Sequence, residues 1–161
     1  MSAASPRPTN AESRLASLGI ELPPPPTPLG SYVETVQSGR VVYLSGVLPV
    51  IGHEPRFIGR LGRDLNIEQG REAARLATLN LLSAVRHHLG SLDNVSRVIK
   101  LTAYLMTEPG FNMLPKVADA STDLLRDVFG EDKLPVRMVL GVASLPLGVP
   151  VVIEALFELV A

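Results

Sequence analysis

The apolar residues of this chain fall into two repeats, one of two residues and one of three to four, and the change between them marks out the elements. The densest run is Leu134 to Leu159, LPVRMVLGVASLPLGVPVVIEALFEL. It breaks at Leu145-Pro146-Leu147-Gly148, a turn signal, and resumes at Val149. Val and Ile dominate it while Gly and Pro punctuate it, which predicts two strands of a well-buried sheet. Alternation puts Arg137, Val139, Gly141 and Ala143 on one face, and Val136, Met138, Leu140 and Val142 on the other. Val98 to Met106 reads as another strong strand, with Ile99, Leu101, Ala103 and Leu105 on one side and Lys100, Thr102 and Tyr104 alternating with them. Tyr32 to Val36 and Arg40 to Ser45 read as a hairpin joined across Ser38-Gly39.

The longer repeat predicts helices. Asn66 with Gln69 three residues on resembles a helix start, and Ala74, Ala77, Leu81, Val85 and Leu89 follow at helical spacing up to Gly90. Leu79 and Leu82 widen that stripe into the apolar face of a helix packed on a sheet. A second helix is expected from a start near Thr107-Glu108-Pro109, carried by Leu114, Val117, Ala118, Leu124, Leu125 and Val128 to Phe129-Gly130. The order hairpin, helix, strand, helix, strand, strand implies an α+β domain, two helices on one face of a mixed sheet. The other sheet face also carries apolar side chains, so a partner subunit is expected to cover it.

The domain is expected over residues 29–161, with residues 1–28 as an N-terminal extension. Met1 to Pro8 reads as disordered, Thr9-Asn10-Ala11-Glu12 as a capping box opening a short helix to Leu18, and Pro23 to Pro26 as a polyproline stretch. Ile51 to Asn66, with Gly52, Gly59 and Gly62, reads as an irregular loop with room for one short strand.

Composition narrows the functional classes. At 161 residues, 46% hydrophobic and 4% aromatic, with a mean hydropathy of +0.25, the core must be filled by small and branched aliphatic residues. Fifteen basic and sixteen acidic residues leave a net charge of -1, so no basic field steers nucleic acid or an anionic membrane. Without cysteine there is no disulfide, thiolate metal site or Cys nucleophile. Neither a secretory leader pattern nor an 18-residue apolar helix is visible, which makes a cytoplasmic protein the expectation. His87 and His88 diverge by ~100° on a helix and His53 is alone in a loop, so no metal site is expected. Ser45 lacks a nucleophile elbow, and Gly59 to Gly62 carries no phosphate-loop or dinucleotide pattern, so no nucleotide cofactor is expected either.

Arg137 stands out. Its guanidinium cannot shed its charge, so within an apolar run it must meet an anion. Either a protein carboxylate forms a structural salt bridge with it, or a small ligand carboxylate lies along its planar fork.

Several motifs in order resemble the Rid/YjgF family of enamine/imine deaminases, historically also labelled L-PSP endoribonucleases. Gly30-Ser31-Tyr32-Val33 looks like the family's G-P-Y motif, Leu44-Ser45-Gly46-Val47-Leu48-Pro49 like S-G-Q-(I/L)-P, and Leu134-Pro135-Val136-Arg137 like P-A-R. Leu145-Pro146 and a terminal strand with Glu154 follow at the expected distance, and the length suggests a longer-chain subgroup. The resemblance implies a chorismate-mutase-like fold in a homotrimer with three clefts between subunits, no cofactor and a small carboxylate substrate. Arg137 would hold the substrate carboxylate, Tyr32 would line the cleft, and Ser45 with Gly46 would shape its floor. The implied reaction converts a 2-aminoacrylate-type enamine, through its imine and added water, into a 2-keto acid and ammonia, with positioning supplying much of the rate. The alternative is a non-catalytic trimer that binds small carboxylate metabolites. A ribonuclease would need charge or a histidine pair that the chain lacks. Three positions depart from the family pattern. The family's water-associated carboxylate falls at Val152, with Glu154 on the same strand face ~7 Å further along and assigned the catalytic role here. Val139 replaces a reactive cysteine. Asp119 occupies a substrate-side helix position that often carries Asn.

Overall fold

The structure, a computed structural model, describes residues 10–161; the expected disorder over Met1 to Pro8 lies outside them. Helix α1 (Ala11–Leu18) opens on Asn10, whose side chain accepts from the Ser13 amide, and closes on Gly19 at φ 63°. Its apolar side, Ala11 and Leu15, joins the main core against α3 (Leu114–Phe129). The chain then runs past Pro23, whose carbonyl accepts from Ser83 Oγ at 2.5 Å.

Strand β1 (Thr35–Ser38) pairs with β2 (Val41–Leu44) through the two-residue loop Gly39-Arg40, with Gly39 at φ 59°. The hairpin is thus shorter than its sequence suggested. Tyr32 to Glu34 stay out of the strand because the backbone turns tightly there, Tyr32 N donating to Gly30 O at 3.0 Å. The glycine-rich stretch contains a miniature hairpin, β3 (Val50–Ile51) with β4 (Glu54–Pro55), before irregular chain leads to α2 (Ile67–Leu89). The α2 cap is a full capping box: Asn66 accepts from Gln69 N, and the Gln69 side chain accepts from Asn66 N.

Helix α3 begins at Leu114 with Pro115 in its first turn, not near Pro109. Pro109-Gly110, with Gly110 at φ 86°, forms a turn instead, and Pro115 supplies the helix-starting proline.

Strand β5 (Val95–Met106) is the longest. Its register against β7 (Val151–Leu159) slips between Val98 and Lys100, a bulge at Ile99. Val98 therefore faces the helices with Leu101, Ala103 and Leu105, while Ile99 leaves the face assigned to it by simple alternation. With β6 (Val136–Val142) the main sheet has the order β1-β2-β7-β5-β6. Only the β5–β6 pair is parallel, so the sheet is mixed, as the α+β reading expected.

Helices α2 and α3 cover one face. Leu81, Leu82 and Val85 from α2 and Leu125 from α3 meet Leu101, Leu105, Ile153 and Phe157 in a dry core. No helix covers the opposite face, which is bare apart from Leu48 and Val50 packed at Val152. Registered rows there read Val36-Tyr43-Leu156-Lys100-Val136, then Glu154-Thr102-Met138, then Val152-Tyr104-Leu140. Val136, Met138 and Leu140 are 69, 50 and 42% exposed, because β6 is the sheet's edge. The sequence predicted two well-buried strands at this end of the chain; β7 is one, whereas no residue of β6 is fully buried.

Candidate functional site

Arg137 lies in β6 opposite Leu101, on the helix-covered face. Its Nη1 donates to Asp119 Oδ1 at 2.7 Å and to Thr122 Oγ1 at 3.2 Å. Asp119 and Thr122 are three residues apart on α3, so one helical turn presents both acceptors to the same guanidinium nitrogen. Of the two anions that the apolar setting left open, a protein carboxylate is the one in place. Half of the guanidinium remains usable: the arginine side chain is 24% exposed, and its Nε and Nη2 donate to no group among the described residues. Such an edge has the geometry with which an arginine can take a carboxylate through two parallel hydrogen bonds.

The other predicted positions lie on the opposite, bare face and toward the far edge. Ser45 follows β2, and its Oγ donates to Glu34 Oε2 at 3.1 Å while its amide donates to the Glu34 carbonyl at 3.0 Å. Burial pushes the Glu34 carboxyl above the usual carboxylate range, and the Ser45 hydroxyl pulls it partly back. Tyr32 sits at the turn before β1, exposed, its phenol oxygen accepting from Leu29 N at 3.1 Å. Gly46 is pressed against β7, where a Cβ on it would lie 2.8 Å from Val152 Cγ1. Tyr32, Glu34, Gly46 and Leu48 line one shallow hollow.

Glu154 sits two residues beyond Val152 on that same face, its Oε1 accepting from the Tyr104 hydroxyl at 2.8 Å. That bond, with burial second, raises the Tyr104 phenol above its ordinary value. Together with Tyr43, Lys100 and Thr102, Glu154 borders a depression near the middle of the sheet. Val152 itself is buried in a small apolar cluster with Leu48, Val50 and Val149.

The predicted residues therefore form two groups. Tyr32, Ser45, Gly46 and Glu154 share the bare face, while Arg137 and Asp119 belong to the helix side of the edge strand. From β2 to β6 is three strand spacings, about 14 Å, before the thickness of the sheet is added. No small ligand spans that within one chain.

Two partners escaped the sequence reading. Glu34 stands across the hairpin from Ser45, which the extension of the β1–β2 register would have revealed. Tyr104 is found only by pairing β5 with β7, a long-range register that no local pattern carries. The histidines stay apart, with His53 Nε2 3.2 Å from Thr27 Oγ1 and His88 Nε2 3.2 Å from Gln37 Oε1. Among the described residues, no helix is long and apolar enough to cross a membrane.

Comparison with known proteins gives a consistent result. The family described as "YjgF/chorismate_mutase-like, putative endoribonuclease" matches residues 12–159. Protein TCP17 of Trypanosoma cruzi is 38% identical over 148 residues, 91% of this chain and 92% of that one. A 2-iminobutanoate/2-iminopropanoate deaminase of Dermatophagoides farinae is 30% identical over 139 residues, covering 85% of this chain and 92% of its own. Among solved structures, a "putative endoribonuclease" from Shewanella oneidensis superposes with a TM-score of 0.88 at 31% identity, over 93% of this chain and 99% of that chain.

Proposed function

The chain belongs to the YjgF/chorismate-mutase-like family, and from that premise we propose that it hydrolyses small enamine or imine acids of the 2-aminoacrylate type to a 2-keto acid and ammonia, in the cytoplasm, as a homotrimer. The observation that carries the proposal is the half-used guanidinium of Arg137. Its Nη1 is fixed by Asp119 and Thr122, and its Nε–Nη2 edge is aimed away from both, ready for a carboxylate. The deaminase among the relatives supports the same reaction class.

The site is completed between subunits. Arg137 of one copy meets the Tyr32, Ser45 and Gly46 group of the next, because one chain holds these on opposite faces. The bare apolar face with exposed Val136, Met138 and Leu140 is the surface that assembly would cover. The carboxylate docks on the arginine, the imine carbon lies over the Ser45-Gly46 floor, and water adds to it. Holding the imine acid and the water in place substitutes for a cofactor.

A second reading, carboxylate binding without turnover, is favoured by one observation: Val152 is 7% exposed in an apolar cluster, where the family resemblance expected a carboxylate. The assay that separates them is ammonia and pyruvate release from 2-aminoacrylate generated in situ. The deaminase reading predicts acceleration by the wild type and its loss, by about 100-fold or more, in Arg137→Ala. A folded wild-type assembly that gives only the spontaneous rate contradicts it.

A further inference from the structure

We propose that Glu34 is the proton acceptor for the water that attacks the imine carbon, the role that Val152 cannot fill; the inference rests on the deaminase reading above. Hydrolysis of an imine needs a group that takes a proton from water and returns it to nitrogen. Two carboxylates lie near the Ser45-Gly46 floor on the bare face, and they are differently employed. Glu154 accepts a 2.8 Å bond from Tyr104 and sits in the mid-sheet depression. Glu34 lines the same hollow as Tyr32 and Gly46, with Oε2 held by the Ser45 hydroxyl at 3.1 Å. The close approach of Gly46 to Val152 joins the two neighbourhoods: a Cβ at position 46 would lie 2.8 Å from the Val152 methyl. Val152 therefore packs against Gly46, and Glu34 lines the hollow that Gly46 also lines. A carboxylate delivered from before β1 thus borders the glycine against which a β7 residue at position 152 packs.

The surroundings suit the role. Among the described residues, the titratable groups lining the hollow are Glu34 and Tyr32, the latter with its oxygen engaged by the Leu29 amide, and no Lys, Arg or His lines it. Burial holds the Glu34 carboxyl above the ordinary range, which makes its carboxylate a better proton acceptor than an exposed one.

The proton accounting closes without any other reagent. As the water oxygen bonds to the imine carbon, the C=N π pair moves to nitrogen and the Glu34 carboxylate takes one water proton. The carboxylic acid returns it to nitrogen, giving a carbinolamine. Glu34 then takes the hydroxyl proton as C=O forms and delivers it to the nitrogen as the C–N bond breaks, so one imine and one water become one keto acid and one ammonia.

The test is turnover of in-situ 2-aminoacrylate by the assembled wild type, Glu34→Gln, Glu34→Asp and Arg137→Ala, with binding of 2-oxobutanoate followed by calorimetry. Gln keeps an oxygen for the Ser45 hydroxyl, so the fold is preserved while the base is lost. The proposal predicts kcat down by about 10²-fold or more in Glu34→Gln, 2-oxobutanoate affinity within about 3-fold of wild type, and partial recovery in Glu34→Asp. In the wild type kcat falls on the acid side as Glu34 protonates, and Ser45→Ala, which removes the bond that lowers the carboxyl, moves that acid limb to higher pH. Wild-type turnover with Glu34→Gln unimpaired overturns the role of Glu34 and leaves the deaminase reading standing. No turnover by the wild type overturns both.

Discussion

At the scale of single residues, one guanidinium is divided between two tasks. Asp119 and Thr122 share Nη1 and leave the fork edge of Arg137 open, so the ion pair orients the arginine without using it up. The pair is only partly buried, with the Asp119 side chain 49% exposed, which makes it weak as a source of stability and more telling as a means of aiming the side chain. Asp119 also places a negative charge beside any carboxylate that docks there. Replacing it with Asn keeps an oxygen for Nη1 and removes the repulsion. Asp119→Asn should therefore bind pyruvate or 2-oxobutanoate about 5-fold more tightly by calorimetry, a gain of about 1 kcal/mol, with little change in melting temperature. Unchanged or weaker binding would mean that the open edge of Arg137 is not where the carboxylate sits.

At the scale of elements, what matters is which strand carries which residue to which face. Gly46 permits β2 and β7 to approach, and the Cβ of an alanine there would meet Val152 at 2.8 Å. Gly46→Ala should cost about 1–3 kcal/mol in urea unfolding, and Val152→Ala in the same chain should restore most of it by opening the space. A single variant as stable as wild type would remove the steric coupling on which the shared floor depends. Much at this scale was legible in the sequence. The Asn66–Gln69 capping box, the stripe from Ala74 to Val85, and the alternation that placed Arg137 opposite Met138 all rest on contacts within a few residues. What was not legible arises from distant pairing. The bulge at Ile99 turns Val98 inward, and Tyr104 reaches Glu154 across two strands 50 residues apart. The start of α3 was misplaced because Pro109 and Pro115 carry the same local signal, and only packing chose between them.

At the scale of the whole molecule, the five-stranded sheet separates the candidate site residues. Helices cover one face, and Arg137 belongs to that side at the β6 edge; the opposite face keeps Ser45, Gly46, Glu34 and Glu154 among exposed apolar side chains. On the function proposed above, a single chain would be half of a site twice over, and a ring of identical subunits in head-to-tail contact would complete every half with its neighbour. That is the central claim, and mixing inactive variants tests it most directly. Arg137→Ala lacks the carboxylate anchor, and Ser45→Glu sets an added negative charge beside Glu34 against the anionic substrate; each alone should release ammonia from 2-aminoacrylate at close to the spontaneous rate. Co-refolded in equal amounts into mixed trimers, they recreate an intact cleft wherever an Arg137-bearing subunit faces a Ser45-bearing one, so about a quarter of wild-type activity should return. Mixed trimers verified by native mass spectrometry that remain inactive would show that the two groups do not meet across a subunit boundary.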